Sequence, residues 1–194
     1  MNADRTPLAV LMSGAPGSGK STLARLLGER LRIPVVDKDR LREGALLTLG
    51  TGDIDQAPFG PELFYATVEG LVAAGISLVG DMTLIRSVSE PDIAARIAPS
   101  AVLVNVHCRT PHAVGRFEAR MRVDPLNEHR VDALLPYVEE LQAQLLEPLD
   151  LGCPCILVDT TDGFEPGVEE IAAEILRQYV TFRGPSARSG PSPG

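Results

Sequence analysis

Short apolar runs rich in β-branched residues alternate along this chain with longer segments of helical period. The clear runs are 8–12, 76–79, 101–106 and 156–158, and a weaker fifth run, 34–36, directly follows a helical segment. Between them lie helix-period stretches at about 20–31, 61–74, 89–98, 111–122, 132–147 and 165–180. In the first, Leu23, Leu26, Leu27 and Leu31 recur at helical spacing, so one face is built to pack on a sheet. Val168, Ile171, Ala172, Ile175 and Leu176 do the same in the last. Strands that alternate with helices in this way build βαβ units and a parallel sheet, so the fold class is α/β. Segment 44–60, rich in Gly, Asp, Thr and Pro and without a clear period, reads as a long surface loop of the kind that often carries function. From Arg183 onward the chain is a Gly-Pro-Ser-Arg tail that cannot bury enough apolar surface to order itself. The expected organisation is one domain over 1–182 and a disordered tail over 183–194.

Composition agrees with that picture. A chain of 194 residues with 44% apolar and 23% charged residues is long enough for one α/β domain with a real core and short for two. No apolar run approaches the length of a membrane span, and the polar start Met1-Asn2-Ala3-Asp4-Arg5 lacks the layout of a signal peptide, so the expected location is the cytoplasm. The formal net charge of -8 opposes non-specific adhesion to nucleic acid or an anionic membrane. Nearly all cations are arginines, and Lys20 and Lys38 are the only lysines. Cys108, Cys153 and Cys155 form neither an even disulfide set nor a zinc spacing, which fits a reducing compartment.

The strongest chemical signal is Gly14-Ala15-Pro16-Gly17-Ser18-Gly19-Lys20-Ser21, a complete G-x-x-x-x-G-K-[ST] motif between an apolar strand and an amphipathic helix. The glycines let successive backbone N–H groups converge on a phosphate, and the helix N-terminus adds its dipole. Gly14 through Thr22 are therefore the candidate nucleotide-binding residues, with Lys20 on the β/γ-phosphates and the Ser21 hydroxyl on Mg²⁺. No guanine reader is evident, which leaves ATP as the nucleotide.

Further candidates follow the later strands. Val35-Val36-Asp37-Lys38-Asp39 ends a short strand in carboxylates at the sheet edge where open α/β sheets bind ligands, and Arg42 shares a helical face with Asp39. Asp39 is the candidate base for an acceptor hydroxyl; alone, the same pattern also suits an Asp capping a helix beside a surface Arg pair. Ile76 to Asp81 is an apolar strand ending in an acid, the form of a Mg²⁺-holding carboxylate, which nominates Asp81. Arg116 and Arg120 lie four apart with Arg122 nearby, before a loop at 123–130, and suit a mobile lid over about 111–131 that would supply cations to phosphoryl transfer and exclude water. A solvated basic face interleaved with Glu118 is the plainer alternative. His107 ends a buried strand and reads as a satisfied structural residue; His112 and His129 are too scattered for a metal site. Of Phe59, Phe64 and Tyr65, most is core, with one expected to line an acceptor pocket beside Glu62 or Glu69. Val158-Asp159-Thr160-Thr161 follows the last strand and is expected beside the glycine-rich loop.

Taken together, these residues resemble the small P-loop kinases of the zeta-toxin, polynucleotide-kinase and chloramphenicol-phosphotransferase type, often described as AAA-family ATPases, over roughly 8–180. The resemblance implies a three-layer P-loop NTPase fold of the nucleoside- and nucleotide-kinase kind, with a five-stranded parallel sheet and a helical lid. It also implies a MgATP-dependent kinase acting on a hydroxyl of a small molecule such as an antibiotic, sugar or nucleoside. Asp39, Arg42, Arg116 and Arg120 take catalytic roles by that resemblance, beside Lys20. Gly80 stands where some relatives have a second acid, which leaves Asp81 to hold the metal network alone. A polynucleotide 5′-hydroxyl kinase and a nucleotide-dependent regulatory ATPase are the rival readings; the acidic net charge disfavours nucleic acid as partner.

Overall fold

The computed structural model describes residues 6–49, 59–125 and 128–182. Strand β1 (Leu8–Ser13) is buried along its whole length, because it runs through the middle of a five-stranded sheet. Its neighbours are β3 (Leu78–Asp81) and β4 (Val102–Arg109); β2 (Val35–Asp37) and β5 (Cys155–Asp159) form the edges, in the order β2-β3-β1-β4-β5. Every pairing is parallel, and the register sets Asp81 beside Met12 and Asp37 beside Asp81. The C-terminal ends of β1, β2 and β3 therefore open onto one edge, where ligands of such sheets bind.

The period-2 alternation of β1 divides the core. Leu8, Val10 and Met12 pack with Leu23 and Leu27 of α1 (Lys20–Leu31) and with Ile171 and Ile175 of α7 (Val168–Phe182). Ala9 and Leu11 face the other side, against Phe64 and Val68 of α3 (Phe59–Ala73), with Ile93 and Ile97. Helices cover both faces, as a parallel sheet requires. Phe64 is fully buried, worth about 2–3 kcal/mol of apolar transfer by itself. Helix α5 (Ala113–Arg122) and helix α6 (Val131–Gln144) pack on each other through Phe117, Met121, Val131 and Val138.

Several boundaries differ from the sequence expectation. Residues 44–49 are not loop: they continue α2 (Lys38–Leu49), which starts where the Asp37 carboxylate accepts the backbone N–H groups of Asp39 (2.9 Å) and Arg40 (3.3 Å). That cap satisfies two of the amides a helix start leaves unpaired. The remainder of the expected loop, 50–58, and the tail expected to be disordered, 183–194, lie outside the described residues. β3 begins two residues late because Ser77 turns its hydroxyl to accept the Leu8 N–H at 2.9 Å. The stretch expected as one helix over 89–98 is a short α-turn, α4 (Ser89–Asp92), that widens into a π-helix at Ile93–Ile97. A 3₁₀ turn, Glu128–Arg130, leads into α6. Among the described residues, no helix is long and apolar enough to cross a membrane.

Candidate functional site

The loop between β1 and α1 comes closer to its neighbours than a side chain would permit. Gly14 (φ +123°) would place a Cβ 2.2 Å from the Cys108 carbonyl oxygen, and Gly17 (φ +84°) one 2.0 Å from that of Ala113. Both positions demand glycine twice over, for the left-handed backbone and for the space. Gly19 caps α1 in the αL conformation without any side-chain hydrogen bond to the helix start. The first-turn amides are left for an anion, where the helix dipole also favours negative charge. Thr160, directly after β5, donates its hydroxyl to the Ser18 carbonyl at 2.7 Å, so the late Asp-Thr-Thr segment braces the glycine loop as expected from its position. Ser18 Oγ is buried and unpartnered.

Lys20 is 7% exposed and curls back to donate to the Ala15 carbonyl at 3.3 Å. Burial pushes its ammonium below the usual lysine value, opposed by the Asp81 and Asp39 charges. Lys20, Ser21 and Pro16 line a cleft of about 910 Å³ that also takes in Asp37, Lys38, Asp39, Arg42, Asp81 and Arg120. Both lysines of the chain thus face one cavity. Thr22, one residue further into α1, is exposed.

Asp81, at the end of β3, is 3% exposed, and among the described residues its Oδ1 has no hydrogen-bond partner. Burial raises its carboxyl above the usual value, against the Lys20 charge and a hydrogen bond from Ser21. An orphaned carboxylate oxygen beside a hydroxyl, at the root of a phosphate-binding loop, fits a hard divalent cation. Mg²⁺ takes one or two carboxylates and completes its shell with phosphates and water, so Asp81 and Ser21 are the residues that could hold it. The absent second acid has a structural reason. A Cβ on Gly80 would stand 3.0 Å from Phe64 Cζ and 3.3 Å from Leu11 Cδ2, so a side chain there would enter the core instead of the cleft.

On α2 the two acids divide their work. Asp37 serves as the helix cap, while Asp39 in the first turn is largely exposed and pairs with Lys38 at 2.6 Å. Enclosure works to raise the Asp39 carboxyl, but Lys38, Lys20 and Arg120 hold it below its ordinary value. Arg42 lines the same cleft.

The two lid arginines separate. Arg120 lines the cleft, its guanidinium 5.9 Å from the Phe117 ring centre, and its charge acts on both Lys20 and Asp39. Arg116 is not brought to the cleft: it donates to the Thr160 carbonyl at 2.8 Å and the Thr161 carbonyl at 2.7 Å. Arg122 is occupied by Glu118 and Asp132 at 2.7 and 3.2 Å. Glu62 and Glu69 hold Arg96 instead of lining the cleft, but Tyr65 does line it. Sequence reasoning did not select Arg130, Asp124 or Tyr137, which also line the cavity and lie on segments without a motif. His107 is buried and structural, bonded to Ser13 Oγ at 3.0 Å and the Leu146 carbonyl oxygen at 3.3 Å, and burial lowers its pKa. Burial likewise raises the Cys108 thiol to about 12 and that of Cys153 to about 11, so neither is poised for reaction.

A family model described as an AAA domain matches residues 10–148. No curated protein sequence matches the chain. Among solved structures, the fold is that of a protein of Chloroflexus aurantiacus proposed to be a kinase, with 22% identity over 92% of this chain and 98% of that one and a TM-score of 0.70. A gluconokinase of Sinorhizobium meliloti shares 19% identity over 92% of this chain and 95% of its own, at a TM-score of 0.54. An APS kinase of Mycobacterium tuberculosis, solved with AMPPNP and APS, shares 22% identity over 90% and 98%, at a TM-score of 0.53. At such identities the likeness is one of fold, and the fold is that of P-loop kinases.

Proposed function

Because the chain belongs to the AAA domain family, and within it has the P-loop kinase fold, we propose that it transfers the γ-phosphate of MgATP to a hydroxyl of a small molecule. One observation carries the reading: a buried lysine on a glycine cradle, an orphaned carboxylate, an ionised acid and an arginine all border a single cleft. A regulatory ATPase has no need of an acid held ionised opposite the phosphate cradle. A hydroxyl acceptor does.

In this account the amides of Gly14 through Ser21 and the Lys20 ammonium hold the phosphates, and Thr22 flanks them. Ser21 and Asp81 are the residues that would hold Mg²⁺, which when bound spreads the charge of the phosphates. Asp39 accepts a hydrogen bond from the acceptor hydroxyl and aims its oxygen at the γ-phosphorus. The new O–P bond forms as the bond to the bridging β,γ-oxygen breaks, ADP leaves, and the hydroxyl proton passes to the Asp39 carboxylate. A carboxylate held below its usual pKa is a weak base, which suits a loose transition state in which the proton moves late. Lys38 fixes that carboxylate, Arg42 stands on the same helix, and Arg120 balances the charge developing on the transferred group. Arg116 acts by position, tying α5 to the loop after β5. Helices α5 and α6 form the lid that excludes water.

The test is transfer of label from γ-labelled MgATP to small hydroxyl compounds. Label on an acceptor, lost with Lys20→Ala, supports the proposal. Phosphate release with no labelled acceptor favours the regulatory ATPase, and label on a 5′-hydroxyl oligonucleotide alone favours the polynucleotide kinase.

A further inference from the structure

We propose that the phosphate acceptor is a hydroxyl compound with an apolar body and a cationic amine, its ammonium set at Asp92 and a second polar group at Tyr65. The proposal rests on the phosphotransfer reading and names the substrate class of the same cleft.

The cleft is electrically lopsided. Its cations sit at the glycine loop, on α2, on α5 and, as Arg130, in the turn before α6. The wall contributed by α3, the β3–α4 turn and α4 carries one charged residue among those described, and that residue is an acid, Asp92. The stretch contributed by α6, including Leu134, Tyr137 and Leu141, carries no charge at all. Ile85 of the turn packs against the buried cluster of Ala15, Ala113, Leu141 and Leu145, which joins the turn to α6. Val88 and Tyr137 stay 66% and 52% exposed on this wall, apolar surface of the kind that lines ligand pockets.

Asp92 has no hydrogen bond or ion pair through its side chain among the described residues. The cation one turn along, Arg96, is taken: Glu62 grips it with two bonds of 2.9 Å and Glu69 with one of 3.0 Å. Arg96 in turn lies 5.4 Å from the Tyr65 ring centre, which fixes that ring. Tyr65 is 4% exposed, and among the described residues its hydroxyl has no partner at full hydrogen-bonding geometry. Burial holds the phenol above its usual pKa, opposed by hydrogen bonding with Ser89 and, more weakly, supported by the Asp92 charge, so the hydroxyl is a neutral donor. An unsatisfied buried donor and an unpaired carboxylate on an otherwise uncharged wall recognise an oxygen and an ammonium on an apolar frame. A carboxylate or phosphate on the acceptor would instead meet only Asp92 here.

Three fragments that share a phenyl ring and a hydroxyl isolate the charge: 2-amino-1-phenylethanol (cation), its N-acetyl derivative (neutral) and mandelate (anion). Their dissociation constants from the full-length protein are measured by NMR titration in the presence of Mg²⁺ and a non-hydrolysable ATP analogue. The expected order is cation tightest, by about fivefold over the neutral compound as for a partly exposed ion pair, and anion weakest. Asp92→Asn brings cation and neutral within about twofold of each other, and Tyr65→Phe weakens all three about threefold or more. Equal or tighter binding of mandelate, an order that survives in Asp92→Asn, or no binding of any fragment overturns the proposal. Failure of the phosphotransfer reading shows separately, as a protein that MgATP does not stabilise or that hydrolyses ATP without labelling any acceptor.

Discussion

Arg116 and Arg120 are four residues apart on one helix, yet their substitution by alanine is expected to break different things. The Arg116 guanidinium makes two charge-assisted bonds, 2.8 Å to the Thr160 carbonyl and 2.7 Å to the Thr161 carbonyl. Such bonds are worth about 1.5–3 kcal/mol each when buried; at an exposed side chain, screening by water brings the pair to about 1–2 kcal/mol. For a domain of this size each kcal/mol moves Tm by about 2–4 °C, so Arg116→Ala is expected to lower Tm by roughly 2–8 °C. Among the described residues Arg120 makes no such anchor; it stands 5.9 Å from the Phe117 ring centre and lines the cleft. Arg120→Ala is expected to leave Tm within about 2 °C and to lower kcat about 10²–10³-fold, the loss typical when a cation aimed at developing charge is removed. Thermal unfolding and steady-state kinetics on both variants decide the matter. A large loss of kcat in Arg116→Ala at unchanged Tm, or normal turnover in Arg120→Ala, would refute the division of roles.

Three other expectations follow. Gly17→Ala forces a Cβ to within 2.0 Å of the Ala113 carbonyl oxygen at φ +84°, so ATP affinity is expected to fall at least tenfold by equilibrium binding; affinity within twofold of the parent would contradict the cradle geometry. Asp39→Asn is expected to abolish transfer while the dissociation constant for MgATP stays within about threefold, because Asp39 serves the acceptor; loss of ATP binding would sink that role. Burial lowers the pKa of His107 below its ordinary 6.5, so as pH falls through that value the unfolded state takes up a proton that the folded state refuses. Stability contributed by neutral His107 is therefore present above 6.5 and lost below it, and urea denaturation from pH 7.5 to 5 should give a shallower decline in His107→Gln than in the parent; identical slopes would refute this.

The parts legible in the sequence are those whose signal is local. Residues 14–21 carry their own geometry, since glycines at fixed spacing, a lysine and a flanking strand and helix are all within one short segment. The strands read well because a parallel sheet covered on both faces demands continuous apolar runs, as Leu8–Ser13 illustrates. Helix α2 was legible only as a helical turn at its start; beyond it, exposed Leu47 beside half-buried Leu41 blurs the apolar stripe. The π-helix was hidden because Ile93 and Ile97, both buried in the core, sit four apart like ordinary α-helical neighbours. Helical spacing put Arg116 and Arg120 on one face, but long side chains choose partners in space, and the loop after β5 supplied carbonyls that no local pattern announces. The same holds for Glu62 and Glu69, claimed by Arg96 some 27 residues beyond Glu69.

Phosphoryl transfer itself is the central claim, and γ-labelled ATP tests it most directly. The protein is incubated with labelled MgATP and a panel of antibiotics, sugars, amino alcohols and nucleosides, beside Lys20→Ala. Label is expected on a small hydroxyl compound and is expected to be absent with the Lys20→Ala protein. Release of labelled phosphate at the same rate with and without every acceptor would contradict it.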